Sequence, residues 1–344
     1  MTEFVSQKLP DVDSDKTRVY IGDTPYHLLI ALTKTILSHR IGKDVFIVLD
    51  KSYSLHTIKE AKNVFKDVVC NFSRIGVLKN LLFLKIRQKL PFLKIGEASD
   101  LYKFHFDQKD IFIFNDNSYL GCWLNITKTP YTLIEDGLNC FKFKAHKSRK
   151  MKMYDAIYKL LGISWGYLGE SKYVKAIEVN ENKNIRIKHD NIIVKNRAEM
   201  FKQLSSENID LIARIFNYQP LKIKAEEEKT LLLTQPLTED GDASHATKID
   251  IYKFLIEKYA IGTLYIKMHP REKEDYSKVF PNAIVIGNPK IPFELYQLKE
   301  NFHFKRVITT FSTAINAVFC ADEKISMTPE WVRNFGKNKE AVNS

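Results

Sequence analysis

Cysteine is scarce in this 344-residue chain: Cys70, Cys122, Cys140 and Cys320 are the four, with no CxxC pair and no histidine near them at metal-ligand spacing. A disulfide scaffold and a thiolate zinc site are thereby disfavoured, and the cysteines read as reduced packing residues of a cytoplasmic protein. Long hydrophobic runs are missing too. A spanning helix needs about 18 or more apolar residues in succession. The nearest approach, IFIFNDNSYLGCWL, is broken by Asn115, Asp116 and Asn117. The leader MTEFVSQKLPDVDSDK has neither the basic flank nor the apolar core of a secretory signal. A GxxxxGK phosphate loop, an HExxH zinc motif and a GxGxxG fingerprint are all lacking. The DxD in DVDSD lies in the polar leader with no strand before it, so a metal-bound diphosphate donor is not indicated.

What is present describes a globular protein: 44% hydrophobic and 27% charged residues, with a net charge of +12. Such an excess of positive charge suits an anionic ligand, a membrane face or nucleic acid. The charge is dispersed, and no RRM, helix-turn-helix or zinc-finger pattern accompanies it, which disfavours a nucleic-acid partner. The length exceeds one ordinary core and predicts two domains.

Strand and helix signals alternate. RVYIGD, DVFIVLD, IFIFND and YTLIEDG read as strands; YHLLIALTKTILSHR and SLHTIKEAKNVFKD read as helices. A polar, helical stretch, IIVKNRAEMFKQLSSENIDLIARIF, then leads to the charged connector PLKIKAEEEK. The pattern restarts with TLLLTQP, TLYIKMHP, AIVIG and RVITTF as strands and IDIYKFLIEKYA, IPFELYQL and TAINAVFC as helices. Alternation of this kind predicts an α/β protein with parallel strands. Two Rossmann-like domains, 1–225 and 226–344, facing a cleft would make the GT-B architecture. One segment stands apart: residues 76–96 interleave Leu81, Leu82, Phe83, Leu84 and Ile86 with Lys79, Lys85, Arg87 and Lys89. It suits either a peripheral contact with anionic lipid, on the inner face of the membrane, or a packed helix at a homodimer contact.

Four stretches fall at predicted strand ends. GDTPYH opens the first helix, with Asp23 or Thr24 able to cap it and Pro25 in its first turn. IEDG carries Glu135 and Asp136 before Gly137, a pair suited to acid/base work or hydroxyl binding and equally to a turn. Glu239, Asp240 and Asp242 crowd the loop after TLLLTQP, where mutual repulsion would raise at least one pKa and suit a general base. In VITTFSTAINAV, Thr309 and Thr310 end a strand, and Ser312 and Thr313 precede a helix whose free amides could hold phosphate or merely be capped. Glu294 stands in a helical first turn, able to grip ribose hydroxyls or to favour the helix dipole. Pro270 restricts His269 to extended backbone at the end of TLYIKM, where α/β sheets bind ligands.

The acidic-acidic-Gly triplet Glu135-Asp136-Gly137, the His269-Pro270 pair and the Thr309–Thr313 turn, in that order, resemble the motifs of glycosyltransferase family 52, the bacterial lipooligosaccharide and capsular sialyltransferases. The resemblance covers roughly Val19 to Ala317. It implies metal-independent transfer of sialic acid from CMP-sialic acid to a galactose-terminated glycan acceptor, free or lipid-linked, with no cofactor. It further implies that His269 contacts the phosphate of departing CMP, and that a carboxylate after the strand opening the second domain is the base. That points to Glu239 and Asp240; Asp240 is the choice, although Leu237 and Thr238 separate the acids from Pro236, and Asp136 is the next candidate. Pro270, Glu294, Thr309, Thr310, Ser312 and Thr313 would then serve the donor, and Thr24, Tyr26, Glu135 and Gly137 the acceptor side. Another GT-B enzyme, a polysialyltransferase or one with a different nucleotide donor, is the nearest alternative.

Overall fold

The computed structural model describes residues 16–49, 53–70, 104–136, 169–181, 187–221, 223, 228–312 and 314–335. The stretch 76–96, the leader DxD, Gly137, Cys140 and Thr313 lie outside the described residues. In chain order the first half gives β1 (Arg18–Gly22), α1 (Pro25–Leu37), β2 (Val45–Val48), α2 (Leu55–Ala61), β3 (Asp67–Val69), β4 (Asp110–Ile113), α3 (Tyr119–Ile126), β5 (Tyr131–Ile134), β6 (Val174–Val179), β7 (Ile192–Val194), α4 (Arg197–Lys202) and α5 (Ser206–Ile215). The second half gives β8 (Lys229–Leu233), α6 (His245–Tyr259), β9 (Thr263–Lys267), α7 (Tyr276–Val279), β10 (Ile284–Val285), α8 (Phe293–Lys299), β11 (Phe304–Thr309), α9 (Ala314–Ala317), β12 (Ala321–Ser326) and α10 (Pro329–Arg333).

The strands form two wholly parallel sheets, ordered β3-β2-β1-β4-β5-β6-β7 and β10-β9-β8-β11-β12. Both orders reverse beside their first strand, between β1 and β4 and between β8 and β11. A crevice opens at the carboxyl ends of the strands at each reversal. The central strands are apolar on both faces, as strands covered by helices on two sides must be: VFIV of β2 is buried throughout, as are YTLI of β5 and KTLLL of β8.

Two sequence expectations change in detail. The helix read through to Asp67 stops at Ala61, because Asp67–Val69 pair with β2 and Val64 and Phe65 turn into the core. The long polar helix splits into β7, α4 and α5. Asn196 and Ser205 each cap a new helix by accepting from the backbone N–H three residues on, which ends one element and starts another. Helix α5 is where the two halves meet: it contacts α1 and α2 of the first half and α8 of the second. Beyond it the Tyr218 hydroxyl and the Leu221 N–H both donate to Glu300.

One buried ionic knot fixes the first half. Glu178 on β6 accepts from Lys34 of α1 at 2.5 Å and from Arg197 of α4 at 2.6 Å. Burial pushes the Glu178 carboxyl up, but the two cations outweigh it and hold its pKa at about 2. Lys34 shares that carboxylate with Arg197, so burial wins there and lowers its pKa to about 8. Because Glu178 sits below its ordinary value, its contribution to stability is complete above pH 4.5 and is lost as pH falls towards 2. Arg197→Met removes one of the two cations from a buried carboxylate and should cost about 3–5 kcal/mol, read by urea unfolding. A loss within about 0.5 kcal/mol, typical of surface sites, would show the knot to be dispensable.

Candidate functional site

A cavity of about 600 Å³ lies between the two halves, where the carboxyl ends of both sheets face each other. From the first half come Thr24, Tyr26, Asn115, Glu135 and Asp136; from the second come Lys267, His269, Arg271, Glu294 and Ser312. A hollow of about 470 Å³ beside the start of α6 belongs to the second half alone and holds none of these strand-end residues.

On the first side the backbone turns sharply from β1 into α1. Gly22 permits this, since a Cβ there would stand 2.7 Å from the Cβ of His27. Thr24 caps the helix by accepting from the His27 N–H at 3.2 Å, and Pro25 occupies the first turn. The turn buries the His27 ring completely, stacked on Phe114 with centroids 4.4 Å apart. Its Nε2 donates to Asp136, and Asp23 lies 2.9 Å from its Nδ1. Burial pulls His27 towards neutrality, but Asp136 first and Asp23 second overcome it and lift the pKa to about 9. The backbone N–H groups of Asp23 and Thr24 also point at Nδ1, at 3.1 and 3.3 Å. They suit the neutral ring, whereas the flanking carboxylates favour the imidazolium; two opposite charges against a buried ring outweigh two neutral donors. If Nδ1 loses its proton, those donors can take over without movement of the ring.

Asp136 is aimed by its neighbour. Glu135 is buried, its carboxylate accepts from the Asn180 N–H at 2.6 Å, and its own N–H donates to the Glu178 carbonyl at 2.9 Å. Asn180 in turn accepts from the Arg197 N–H at 2.7 Å, so the buried knot extends to the edge of the cavity. Among the described residues, Asp23, His27 and Asp136 are the group that could hold a metal ion. The two carboxylates, however, face different nitrogens of one ring, whose lone pairs diverge. A single ion cannot replace both contacts, and the group is better described as a hydrogen-bonded chain.

The second side is organised by a buried carboxylate. Glu272 accepts from the Thr234 hydroxyl, from the His269 N–H at 3.2 Å and from the Tyr276 hydroxyl at 2.6 Å. It thus ties the end of β8 to the end of β9 and fixes the backbone at His269. The Arg271 N–H donates to His269 Nδ1 at 3.2 Å, which leaves the ring proton on Nε2. Burial, and then the charge of Arg271, lower the His269 pKa to about 4, so the imidazole is neutral at pH 7. Lys267 is buried with its ammonium donating to the carbonyls of Asn288 at 3.0 Å and Met268 at 3.3 Å, and burial lowers its pKa to about 8. Burial lifts the Glu294 carboxyl to about 7.

Of the residues singled out in the sequence, Thr24, Tyr26, Glu135, Asp136, His269, Pro270, Glu294 and Ser312 line the cavity. Thr309 and Thr310 are fully buried and turn inwards, donating to the Leu233 carbonyl at 2.9 Å and to Gln235 at 2.5 Å, so they stitch β11 to β8. Glu239 and Asp240 are exposed and are not in the cavity lining. Asp240 is held by Arg271 through two hydrogen bonds, of 2.6 and 2.8 Å. Sequence reasoning missed His27, Lys267, Arg271 and Glu272. The i, i+3 spacing of His269 and Glu272 was a readable signal, whereas the pairing of His27 with Asp136, 109 residues apart, was not.

The neutral His269 ring predicts a titration far below that of a free histidine. Nitrogen-15 NMR should find Nε2 protonated at pH 7 and a midpoint near 4. A midpoint near the ordinary 6.5 would show that the ring is open to solvent and free of Arg271.

Over 197 residues the chain is 36% identical to an uncharacterized protein of Haemophilus influenzae, covering 56% of this chain and 60% of that one. The match therefore spans less than two thirds of the relative's length. The crystal structure of an α/β-galactoside α-2,3-sialyltransferase from Photobacterium phosphoreum, a luminous marine bacterium, overlays with a TM-score of 0.54 at 15% identity, covering 91% of each chain. That likeness is one of fold, and the fold is GT-B, the architecture expected from the alternating strands and helices. The sequence pattern of glycosyltransferase family 52 matches residues 43–327, and the chain belongs to that family.

Proposed function

We propose that the cleft transfers sialic acid from CMP-sialic acid to a galactose-terminated glycan. The observation that carries this reading is the meeting, in one cavity, of Asp136 on its buried histidine and of a neutral His269 with its proton on Nε2. Family membership supports group transfer from an activated sugar, and the Photobacterium enzyme of the same fold is by name a sialyltransferase acting on galactosides.

Sialyl transfer forms a bond from an acceptor hydroxyl oxygen to the anomeric carbon and breaks the bond from that carbon to the phosphate oxygen of CMP. The hydroxyl proton must go to a base, and negative charge builds on the departing phosphate. In this reading Asp136 takes the proton. Its carboxylate is 31% exposed and reaches the cavity, and His27 holds it in place from behind. His27 remains charged, so the carboxylate stays anionic until the acceptor oxygen is well advanced. His269 donates through Nε2–H to the phosphate, a hydrogen bond that strengthens as CMP leaves. Glu294 would hold the ribose hydroxyls and Ser312 the phosphate. Thr24, Tyr26 and Glu135 would form the acceptor side.

Asp240 is the second reading for the base. It is favoured by one observation: Arg271, which covers it, lines the cavity and could be drawn away by an anionic donor. The protein incubated with CMP-sialic acid, lactose and EDTA should yield sialyllactose and CMP. No product under any metal condition, or activity only with added manganese, would overturn the reading. His269→Ala should lower kcat by roughly 10²–10³. Asp136→Asn should lower it by about 10²–10⁴ with little change in CMP binding. If Asp240→Asn is the inactive variant and Asp136→Asn is not, the base is Asp240.

A further inference from the structure

We infer that Arg271 is a carboxylate-recognising arm, parked on Asp240 while the site is empty and transferred to the carboxylate of the donor sugar when the donor binds. This rests on the proposed donor, which carries a carboxylate on the carbon that is transferred.

Three observations lead to it. The fork of Arg271 meets the Asp240 carboxylate through two parallel hydrogen bonds of 2.6 and 2.8 Å, the geometry with which guanidinium groups select carboxylates. Both partners are open to water, with side chains 58% and 39% exposed, so solvent screens the pair and can hydrate either group when they part. Moving the fork from one carboxylate to another keeps both hydrogen bonds, while water can cover the Asp240 left behind. Arg271 also lines the same cavity as Asp23, Glu135 and Asp136 of the other domain.

The cations around the cavity show why such an arm is needed. Its lining carries four carboxylates, Asp23, Glu135, Asp136 and Glu294, and three cations, Lys267, Arg271 and Lys290. Lys267 is buried and occupied by two backbone carbonyls. His269 can donate a hydrogen bond but, being neutral, offers no charge. A donor with a phosphate and a carboxylate would therefore find two accessible cations, the exposed Lys290 and Arg271, and of these only Arg271 carries the planar fork that matches a carboxylate. The backbone of Arg271 already fixes the His269 tautomer at 3.2 Å, so phosphate and sugar carboxylate would be read by groups two residues apart. Arg271 would then set specificity for a charged sugar, whereas the nucleotide would be gripped without it.

The test is calorimetric binding of three probes to the full chain: CMP, CMP-3-fluoro-sialic acid, and the methyl ester of the latter. Loss of a charged double hydrogen bond predicts that Arg271→Met weakens the acid by about 10- to 100-fold. CMP and the ester should change by less than about threefold, within the range of a few tenths of a hydrogen bond. Arg271→Lys, which keeps the charge but not the fork, should fall between. Asp240→Asn removes the competing carboxylate and should tighten the acid while leaving CMP alone. Equal weakening of all three probes by Arg271→Met, or no weakening of any, would overturn the inference while the wild-type protein still bound CMP. If the wild-type protein binds neither CMP nor the analogue, the proposed donor is wrong and the inference falls with it.

Discussion

The structure depends on one constraint: among the described residues every strand in both sheets runs parallel to its neighbours. A parallel sheet sends all its carboxyl ends to one edge, and two such sheets facing each other bring the segments after eight strands to a common space. Gly22, Asn115, Glu135, Thr234, Lys267 and Thr310 all end or follow strands. Chemistry-bearing residues far apart in sequence can therefore gather in a cavity of about 600 Å³ without long structured loops to carry them.

Two histidines in that space meet opposite fates, and their neighbours decide which. His27 is wholly buried and yet is driven to about pH 9 by two carboxylates that touch its two nitrogens. His269 is driven to about 4 by burial first and by the charge of Arg271 second, which together outweigh the opposing charge of Asp240. Burial alone would neutralise both. The result is a charged imidazole behind the Asp136 carboxylate and a neutral hydrogen-bond donor on the other wall. Pairs whose environments push their proton affinities apart are suited to dividing acid and base work between them.

Much of this was legible in the chain. Pro270 marked the end of β9 and so located His269, and the apolar runs of β1, β2, β5, β8 and β11 announced their strands by composition. Two edge strands escaped notice for a physical reason, whereas the interior strand Val174–Val179 went unread although five of its six residues are buried. Ala321–Ser326 is an edge strand with three consecutive exposed charges in ADEKIS, and Ile192–Val194 is half exposed at the other sheet's edge. Edge strands need less apolar surface and therefore signal weakly. Thr309 and Thr310 were attractive as phosphate ligands because hydroxyls at a strand end often are; here their side chains face the neighbouring strand. The link from Asp136 to His27 depends on β5 and the start of α1 lying side by side, and no local pattern encodes that. Asp240 illustrates the same limit: its acidity is visible in the sequence, but the guanidinium that occupies it comes from the loop after another strand.

The central claim is that this cleft holds the nucleotide of the donor with its phosphate against His269. A crystal structure with CMP bound tests it most directly. The account predicts the phosphate within hydrogen-bonding distance of His269 Nε2, with the ribose beside Glu294. CMP bound in the hollow at Asp242 and Arg333, or in the cleft with its phosphate turned away from His269, would contradict it.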